Sequence, residues 1–454
     1  MTSPDTRLSG LSREDKQKIL KRLMEKRRNG STADAPTALA GNAVVDEVPQ
    51  SFYRFDHFPE YHQLQIQRVV AQRAGVENPF FMLHEGIARD TTVIGNRQYL
   101  NFATYNYIDL NGDPRIVEAA ALAAQRYGTS ASASRVVSGE RPPHRELERG
   151  LADFLGTEDC IVFVSGHATN VSTIAALLGP KDLIIHDRLI HNSVLQGAIM
   201  SGAQRLSFAH NDMDMLDSLL TERRRNYEKV LIVVEGIYSM DGDVAPLPKL
   251  IELKQRHKAL LMVDEAHSIG VLGKTGRGIV EHFGLSAGDV DILMGTLSKT
   301  FVGCGGYIAG SRALVELLKF TAGGFVYSVG MPPPMAAASK AALDILIAEP
   351  WRVGQLQAIG QYFLTKARSL GLDTGYAQGF SIVPIMIGRS VLAGRLSDAL
   401  LQRDINALPI IYPAVEDRAA RLRFFLSSSH SPQQIDTALE ITAQELARLR
   451  SELS

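Results

Sequence analysis

Five short apolar runs constrain this chain more than any other feature. They are Ile161–Val164, Leu183–Ile185, Val230–Val234, Ala259–Val263 and Val290–Met294, separated by stretches with helical character. Runs of three to five residues, apolar but for Asp291 and without the alternation of a half-exposed strand, suit strands covered on both faces of a parallel sheet. Nearly every run gives way to polar or glycine residues: Ser165-Gly166-His167, His186-Asp187, Glu235-Gly236, Asp264 and Gly295. In open α/β sheets, ligands sit at the carboxyl ends of the strands. The pattern therefore predicts a mostly parallel α/β sheet flanked by helices, with its site along that edge.

Two of these strand ends carry complementary chemistry. The run at 259–263 ends in Asp264-Glu265-Ala266-His267, and the run at 290–294 is followed by Gly295-Thr296-Leu297-Ser298-Lys299. A carboxylate at the end of a buried strand is costly without a cationic or donor partner. An acid that holds a pyridine nitrogen protonated, with a lysine that forms a Schiff base, is what pyridoxal phosphate (PLP) requires. His267 is then placed to reach the ring's phenolic oxygen or a substrate carbonyl. Thr296 and Ser298 offer hydroxyl and amide donors to a phosphate, and Gly303-Cys304-Gly305-Gly306 keeps backbone close to whatever Lys299 carries. Ser165-Gly166-His167 opens an apolar helix whose first amides also suit a phosphate. His191 could lay its ring on a flat cofactor.

Leu261–His267 also looks like the second nucleotide motif of helicase-type ATPases. Such an enzyme needs a phosphate loop of the form G-x-x-x-x-G-K-[ST] earlier in the chain. The nearest fragment, Gly273-Lys274-Thr275, follows the acidic motif, and Ser268 stands where its first glycine belongs. That reading is set aside.

The flanks are read separately. Residues 1–50 form a basic arm and linker. Within it, residues 12–28 make an amphipathic helix with eight Lys or Arg against three acids, and residues 29–50 are small and polar. Residues 51–104 are an N-terminal segment, 105–350 the large PLP-binding domain, and 351–454 a small α+β domain with strands at Ile382–Ile387 and Arg423–Leu426. The formal net charge of -1 gives no general attraction to nucleic acid or anionic membrane. Two cysteines, no signal-peptide core and no apolar stretch of the roughly 18 residues needed to span a bilayer predict a cytoplasmic protein without a membrane span. No metal site is expected.

Several motifs fall in a recognisable order. They are Tyr127-Gly128-Thr129, Ser134-Arg135-Val136-Val137-Ser138-Gly139, Phe163-Val164-Ser165-Gly166, His191-Asn192-Ser193, Phe208–Asp212, Glu235–Asp243, Asp264–Ser268, Gly276-Arg277-Gly278 and Gly295–Lys299. Over roughly residues 95–430 the chain resembles the α-oxoamine synthases, a branch of the fold-type I PLP enzymes. The resemblance implies that fold, a homodimer, and an acyltransferase that condenses an amino acid with an acyl thioester to give an α-amino ketone, usually with decarboxylation. It implies that Lys299 carries the Schiff base, Asp264 pairs with the pyridine nitrogen and His191 stacks on the ring. Ser239 and His267 lie near the phenolic oxygen. Gly166, His167 and Thr296 contact the phosphate, and Arg423 binds the amino-acid carboxylate.

The chain also departs from the family. His167 replaces an aromatic residue, and Tyr327-Ser328-Val329 stands where the family has Ser-Thr. The basic residue that one branch uses for a dicarboxylic acyl chain has no counterpart, because Asn78–Leu83 is apolar. A fatty or polyketide-type acyl group is expected instead. Another fold-type I reaction, an aminotransferase or a retro-aldol cleavage, and a non-catalytic synthase subunit are the alternatives. The basic arm is read as a docking element for an acyl carrier protein or a neighbouring synthase module.

Overall fold

The computed structural model describes residues 48–73, 78–412 and 414–452. The helix expected over residues 12–28 lies outside them. The described residues fall into two compact units, one ending at Arg68 and one beginning at Val69. The first holds two short 3-10 turns, Gln50–Phe52 and Phe55–His57, and the start of a helix that runs from Pro59 to Arg73.

In the second unit, β1 (Thr91–Ile94) and β2 (Arg97–Asn101) form a hairpin. The main sheet follows, from β3 (Asp159–Phe163), β4 (Leu183–Asp187), β5 (Gln204–Phe208), β6 (Val230–Glu235), β7 (Leu260–Asp264), β8 (Ile292–Thr296) and β9 (Gly306–Gly310). Its order is β3-β9-β8-β7-β6-β4-β5, and β9 alone runs antiparallel to both of its neighbours. The five apolar runs of the sequence are β3, β4, β6, β7 and β8. Side chains alternate between two apolar layers along them. Ile185, Ile232, Val263 and Leu293 enter one layer, while Ile184, Leu231, Met262 and Ile292 enter the other. Helices cover both layers, which is why these strands read as unbroken apolar runs.

β5 and β9 were not expected. Three of the five residues of β5 are exposed, so it lacks an apolar run. β9 begins and ends in glycine, which reads as loop in a sequence.

The C-terminal part carries β10 (Ile382–Gly388), β11 (Ile405–Asn406), β12 (Leu408–Ile410) and β13 (Ala420–Phe425). β13 lies between β10 and β12, antiparallel to both. Both strands expected in this region, at 382–387 and 423–426, are present as β10 and β13. β11 pairs with β2, so the C-terminal part is joined to the N-terminal hairpin by backbone hydrogen bonds. The fold is that of a fold-type I transferase: a seven-stranded, mostly parallel sheet with helices on both faces and a smaller C-terminal sheet. No helix among the described residues is long and apolar enough to cross a membrane.

Candidate active site

The carboxyl ends of β6, β7 and β8 form the floor of an open cleft of about 400 Å³. Parallel register sets Glu235 beside Asp264, and Asp264 beside Met294. The cleft is lined by Gly166, His167, Asn170, His191, Ser193, Glu235, Asp264, Ala266, His267, Met294, Thr296 and Lys299. Seven of the residues singled out from the sequence therefore converge on one space: Gly166, His167, His191, Asp264, His267, Thr296 and Lys299.

Asp264 is only 4% exposed. Its Oδ2 accepts from Asn170 Nδ2 at 2.8 Å and its Oδ1 from the Ala266 amide at 3.0 Å. No cationic side chain among the described residues is ion-paired with it. The other Asn170 proton goes to Ser193 Oγ (2.8 Å), which lies 2.7 Å from His191 Nδ1. The amide of Ser193 also points at that nitrogen, at 3.3 Å. Nδ1 of His191 therefore acts as the acceptor and Nε2 carries the proton. Burial lowers the pKa of His191, so the ring stays neutral.

His267 hydrogen-bonds through Nδ1 to the Tyr107 hydroxyl at 2.7 Å. Burial first, then the positive charges of Lys299 and Arg423, hold this histidine neutral, with a pKa well below the ordinary value. Burial also keeps the Tyr107 phenol protonated. With the phenol donating to Nδ1, the remaining proton sits on Nε2 as a fixed donor. Burial brings the Lys299 amine down to about 8, against the pull of Asp264 and Glu235. Roughly a tenth of the amine is then neutral and nucleophilic at pH 7, far more than for an exposed lysine. Glu235 is driven strongly toward the protonated form by burial and then by the neighbouring Asp264.

Glycine permits the close approach at one wall of the cleft. A Cβ at Gly166 would meet Thr296 Oγ1 at 2.8 Å, and one at Gly306 would meet Thr169 Oγ1 at 2.5 Å. The start of the helix Gly166–Leu177 is thereby pressed against the ends of β8 and β9. Thr296 Oγ1 donates to the Gly305 carbonyl and accepts from the Ser298 amide. The Ser298 side chain itself is exposed and does not line the cleft.

Arg423 and Ser239 lie beside the cleft rather than in its lining. Arg423 is half-buried at the middle of β13 and donates from Nη1 to the Ser239 carbonyl at 3.0 Å, while its Nε has no partner. Burial lowers its pKa. Arg421, two residues earlier, is committed elsewhere, donating to the Met240 carbonyl (3.0 Å) and to Asp241 Oδ1 (2.6 Å). The Ser239 amide donates to Glu235 Oε2 at 3.1 Å, and Glu235 Oε1 is unpartnered.

Sequence reasoning passed over Asn170, Ser193, Glu235 and Tyr107. Asn170, Ser193 and Glu235 lie inside or beside quoted motifs, but their partners are up to 94 residues away, as for Asn170 and Asp264. The available signal was the strand-end position of Glu235, one strand over from Asp264.

A PLP molecule fits these groups. Asp264 is a buried carboxylate held by neutral donors and lacking a cation, which a protonated pyridine nitrogen would provide. The glycine-lined wall with Thr296 gives a cradle for a phosphate, and a buried, partly neutral lysine lines the same cleft.

Comparison with known proteins agrees with this geometry. Residues 97–441 match the family model "Aminotransferase class I and II". The 8-amino-7-oxononanoate synthase of Symbiobacterium thermophilum is 39% identical over 373 residues, covering 82% of this chain and 94% of that protein. The 8-amino-7-oxononanoate synthase 1 of Bacillus velezensis is 40% identical, over 75% of this chain and 87% of its own length. Among solved structures, serine palmitoyltransferase from S. paucimobilis with a bound PLP–myriocin aldimine superposes with a TM-score of 0.83 at 28% identity, over 86% of this chain and 98% of that one. The 8-amino-7-oxononanoate synthase of Francisella tularensis gives 0.68 at 27% identity, over 77% and 98%. The chain belongs to the aminotransferase class I and II family, within its α-oxoamine synthase branch.

Proposed function

We propose that the chain is a PLP-dependent acyltransferase that condenses an α-amino acid with an acyl thioester, releasing carbon dioxide and a thiol and leaving an α-amino ketone. The observation that carries this reading is the unpaired, buried Asp264 facing the same cleft as a Lys299 whose pKa is brought down to about 8. When bound, PLP supplies a carbonyl carbon for Lys299 and an electron-poor ring that stabilises negative charge at the amino acid's α-carbon.

The chain's own groups do the rest. Asp264, oriented by Asn170 and the Ala266 amide, holds a proton on the pyridine nitrogen. Neutral His191, fixed by Ser193, covers the ring face. The amides of Gly166 and His167 hold the phosphate, joined by the Thr296 hydroxyl as it turns from the Gly305 carbonyl, with the Ser298 amide hydrogen-bonding to Thr296 Oγ1. Arg423 takes the amino-acid carboxylate with its free guanidinium edge and so fixes which bond to the α-carbon breaks. His267 presents Nε2–H to the acyl carbonyl, where charge develops as the new carbon–carbon bond forms. Ser239, tied through its backbone to both Glu235 and Arg423, places its hydroxyl near the phenolic oxygen.

The acyl group is read as fatty or polyketide-type, supported by the apolar Asn78–Leu83 segment. A homodimer is supported by one apolar patch. Val137 is 82% and Tyr327 90% exposed, on segments tied together by Ser134 Oγ to the Val326 carbonyl and by the Gly330 amide to the Ala133 carbonyl. Residues 12–28, with a net charge of +5, are proposed to dock an acidic acyl carrier protein or a neighbouring synthase module. The test is a screen of amino acids for spectral change of bound PLP, then acyl-CoA and acyl-carrier thioesters with mass analysis of the product. An α-amino ketone supports the reading; keto-acid or aldehyde products alone would replace it with transamination or retro-aldol cleavage.

A further inference from the structure

Tyr105 stands just outside the cleft and has no role in the chemistry above. It is 41% exposed, yet its ring is fixed on three sides. Lys299 Nζ lies 5.6 Å from the ring centroid. The rings of His267 and Phe425 meet it edge-on, with centroids at 6.2 and 4.8 Å. Phe425 in turn carries the Arg423 guanidinium over its face, at 4.5 Å. The backbone around Tyr105 is equally constrained. Its own carbonyl accepts from the Tyr107 amide, the Asn106 carbonyl accepts from Ser427 Oγ at 2.7 Å, and the Tyr107 carbonyl accepts from the Ser428 amide. Tyr107 is fully buried and anchored on His267. The ring is thus held in place before any substrate arrives.

Lys299 and Arg423 mark the two ends of a bound α-amino acid, its nitrogen and its carboxylate. Tyr105 and Phe425 form an aromatic bridge between those cations. We propose that Tyr105, backed by Phe425, is the wall that limits the size of the amino acid's side chain. The inference rests on the roles proposed for Lys299 and Arg423. Its physical basis is close packing. A larger substituent must push the ring off Phe425, losing an edge-to-face contact and the close packing around it.

The test uses the full-length protein loaded with PLP, titrated with glycine, alanine, serine, valine and leucine and read by the spectrum of the bound cofactor. One methylene in a shaped pocket is worth roughly 10- to 200-fold. Tyr105→Ala should therefore raise the affinity for leucine relative to alanine by at least ~10-fold over wild type, while Tyr105→Phe keeps the wild-type ranking. Thermal unfolding and the spectrum without substrate establish that each variant is folded and loaded; Tyr105→Val carries the same comparison if the Ala variant does not fold. An unchanged leucine-to-alanine ratio in the Ala or Val variant overturns the proposal. So does a Phe variant shifted as far as Ala, since the hydroxyl rather than the ring would then be responsible. A wild-type protein whose bound PLP responds to none of the five amino acids overturns the underlying functional reading as well, which separates the two failures.

Discussion

Replacing Lys299 with Met should make the PLP-free protein more stable at neutral pH, although it removes the residue on which the chemistry depends. Burial lowers the Lys299 ammonium from an ordinary 10.5 to about 8. At about 1.36 kcal/mol per pKa unit, a charged Lys299 costs the folded apoprotein on the order of 3 kcal/mol, and an apolar side chain of similar length avoids that cost. The sign follows from proton counting. Between pH 8 and 10.5 the unfolded chain holds the proton while the folded chain has released it, so wild-type stability rises with pH across that window. The advantage of Lys299→Met should be full below pH 8, shrink as pH rises, and be nearly gone by pH 10.5. Urea unfolding of both proteins, stripped of PLP and at one protein concentration, measures the difference at each pH. Groups that do not feel the Lys299 charge, His210 among them, are common to both proteins and cancel. Adding PLP should reverse the order, because a ligand that binds only the folded state stabilises the protein that binds it more tightly. A variant that unfolds at or below the wild-type midpoint at pH 7, or a gap that persists to pH 10.5, would refute the claim that Lys299 is held under desolvation strain.

Asp264→Asn keeps the hydrogen bond from Asn170 in reach but removes the charge; turnover should fall by at least ~10²-fold with PLP still bound, and near-normal rates would remove Asp264 from its role. Arg423→Ala should weaken amino-acid binding by ~2–5 kcal/mol, measured by spectral titration, without loss of PLP; an unchanged dissociation constant would contradict the assignment. His210 lies between Asp187 and Asp243, at 3.0 and 2.8 Å. Burial opposes its charge, but the two carboxylates hold its pKa up at about 10. Its contribution to stability should therefore be complete below the ordinary histidine pKa of 6.5 and be lost as pH rises through 10. His210→Gln should flatten that high-pH fall in thermal unfolding; a wild-type-like profile would show that the clamp does not titrate as described.

The path from Glu235 to Arg423 runs through one loop held from several directions. Glu235 anchors the Ser239 amide, Arg423 grips the Ser239 carbonyl, and Arg421 takes the Met240 carbonyl and Asp241. Asp243 is bound to His210 and Asn211. Gly242 fits because it has no side chain: a Cβ there would lie 2.2 Å from the Ile382 carbonyl oxygen, and its φ is +73°. Three charged residues that take no part in the chemistry, Arg421, Asp241 and His210, thus fix the two that Arg423 and Ser239 bring to the substrate. A site spread over β6, β13 and the loop between β6 and β7 needs such fixing, since an error of about 1 Å can cost ~10²-fold in rate.

The sequence revealed those features that rest on local chemistry. Strands buried on both faces must be apolar throughout, so β3, β4, β6, β7 and β8 could be read directly. Asp264 and Lys299 stood out because a charged residue at the end of such a strand needs a reason to be there. Features defined by distant partners could not be read. Tyr107 matters because His267 is 160 residues away in sequence and 2.7 Å away in space. β9 was hidden because the glycines that let it pass close to the helix at Gly166 look like loop. The arginine pair shows the limit most clearly. Arg421 and Arg423 are two apart on one strand, so strand periodicity puts them on the same face and cannot choose between them. What separates them is a neutralising partner, Asp241, supplied by a loop 180 residues away. With Arg421 paired, only Arg423 retains a free guanidinium edge for an incoming carboxylate, and the choice between them is made by the fold rather than by the strand that carries both.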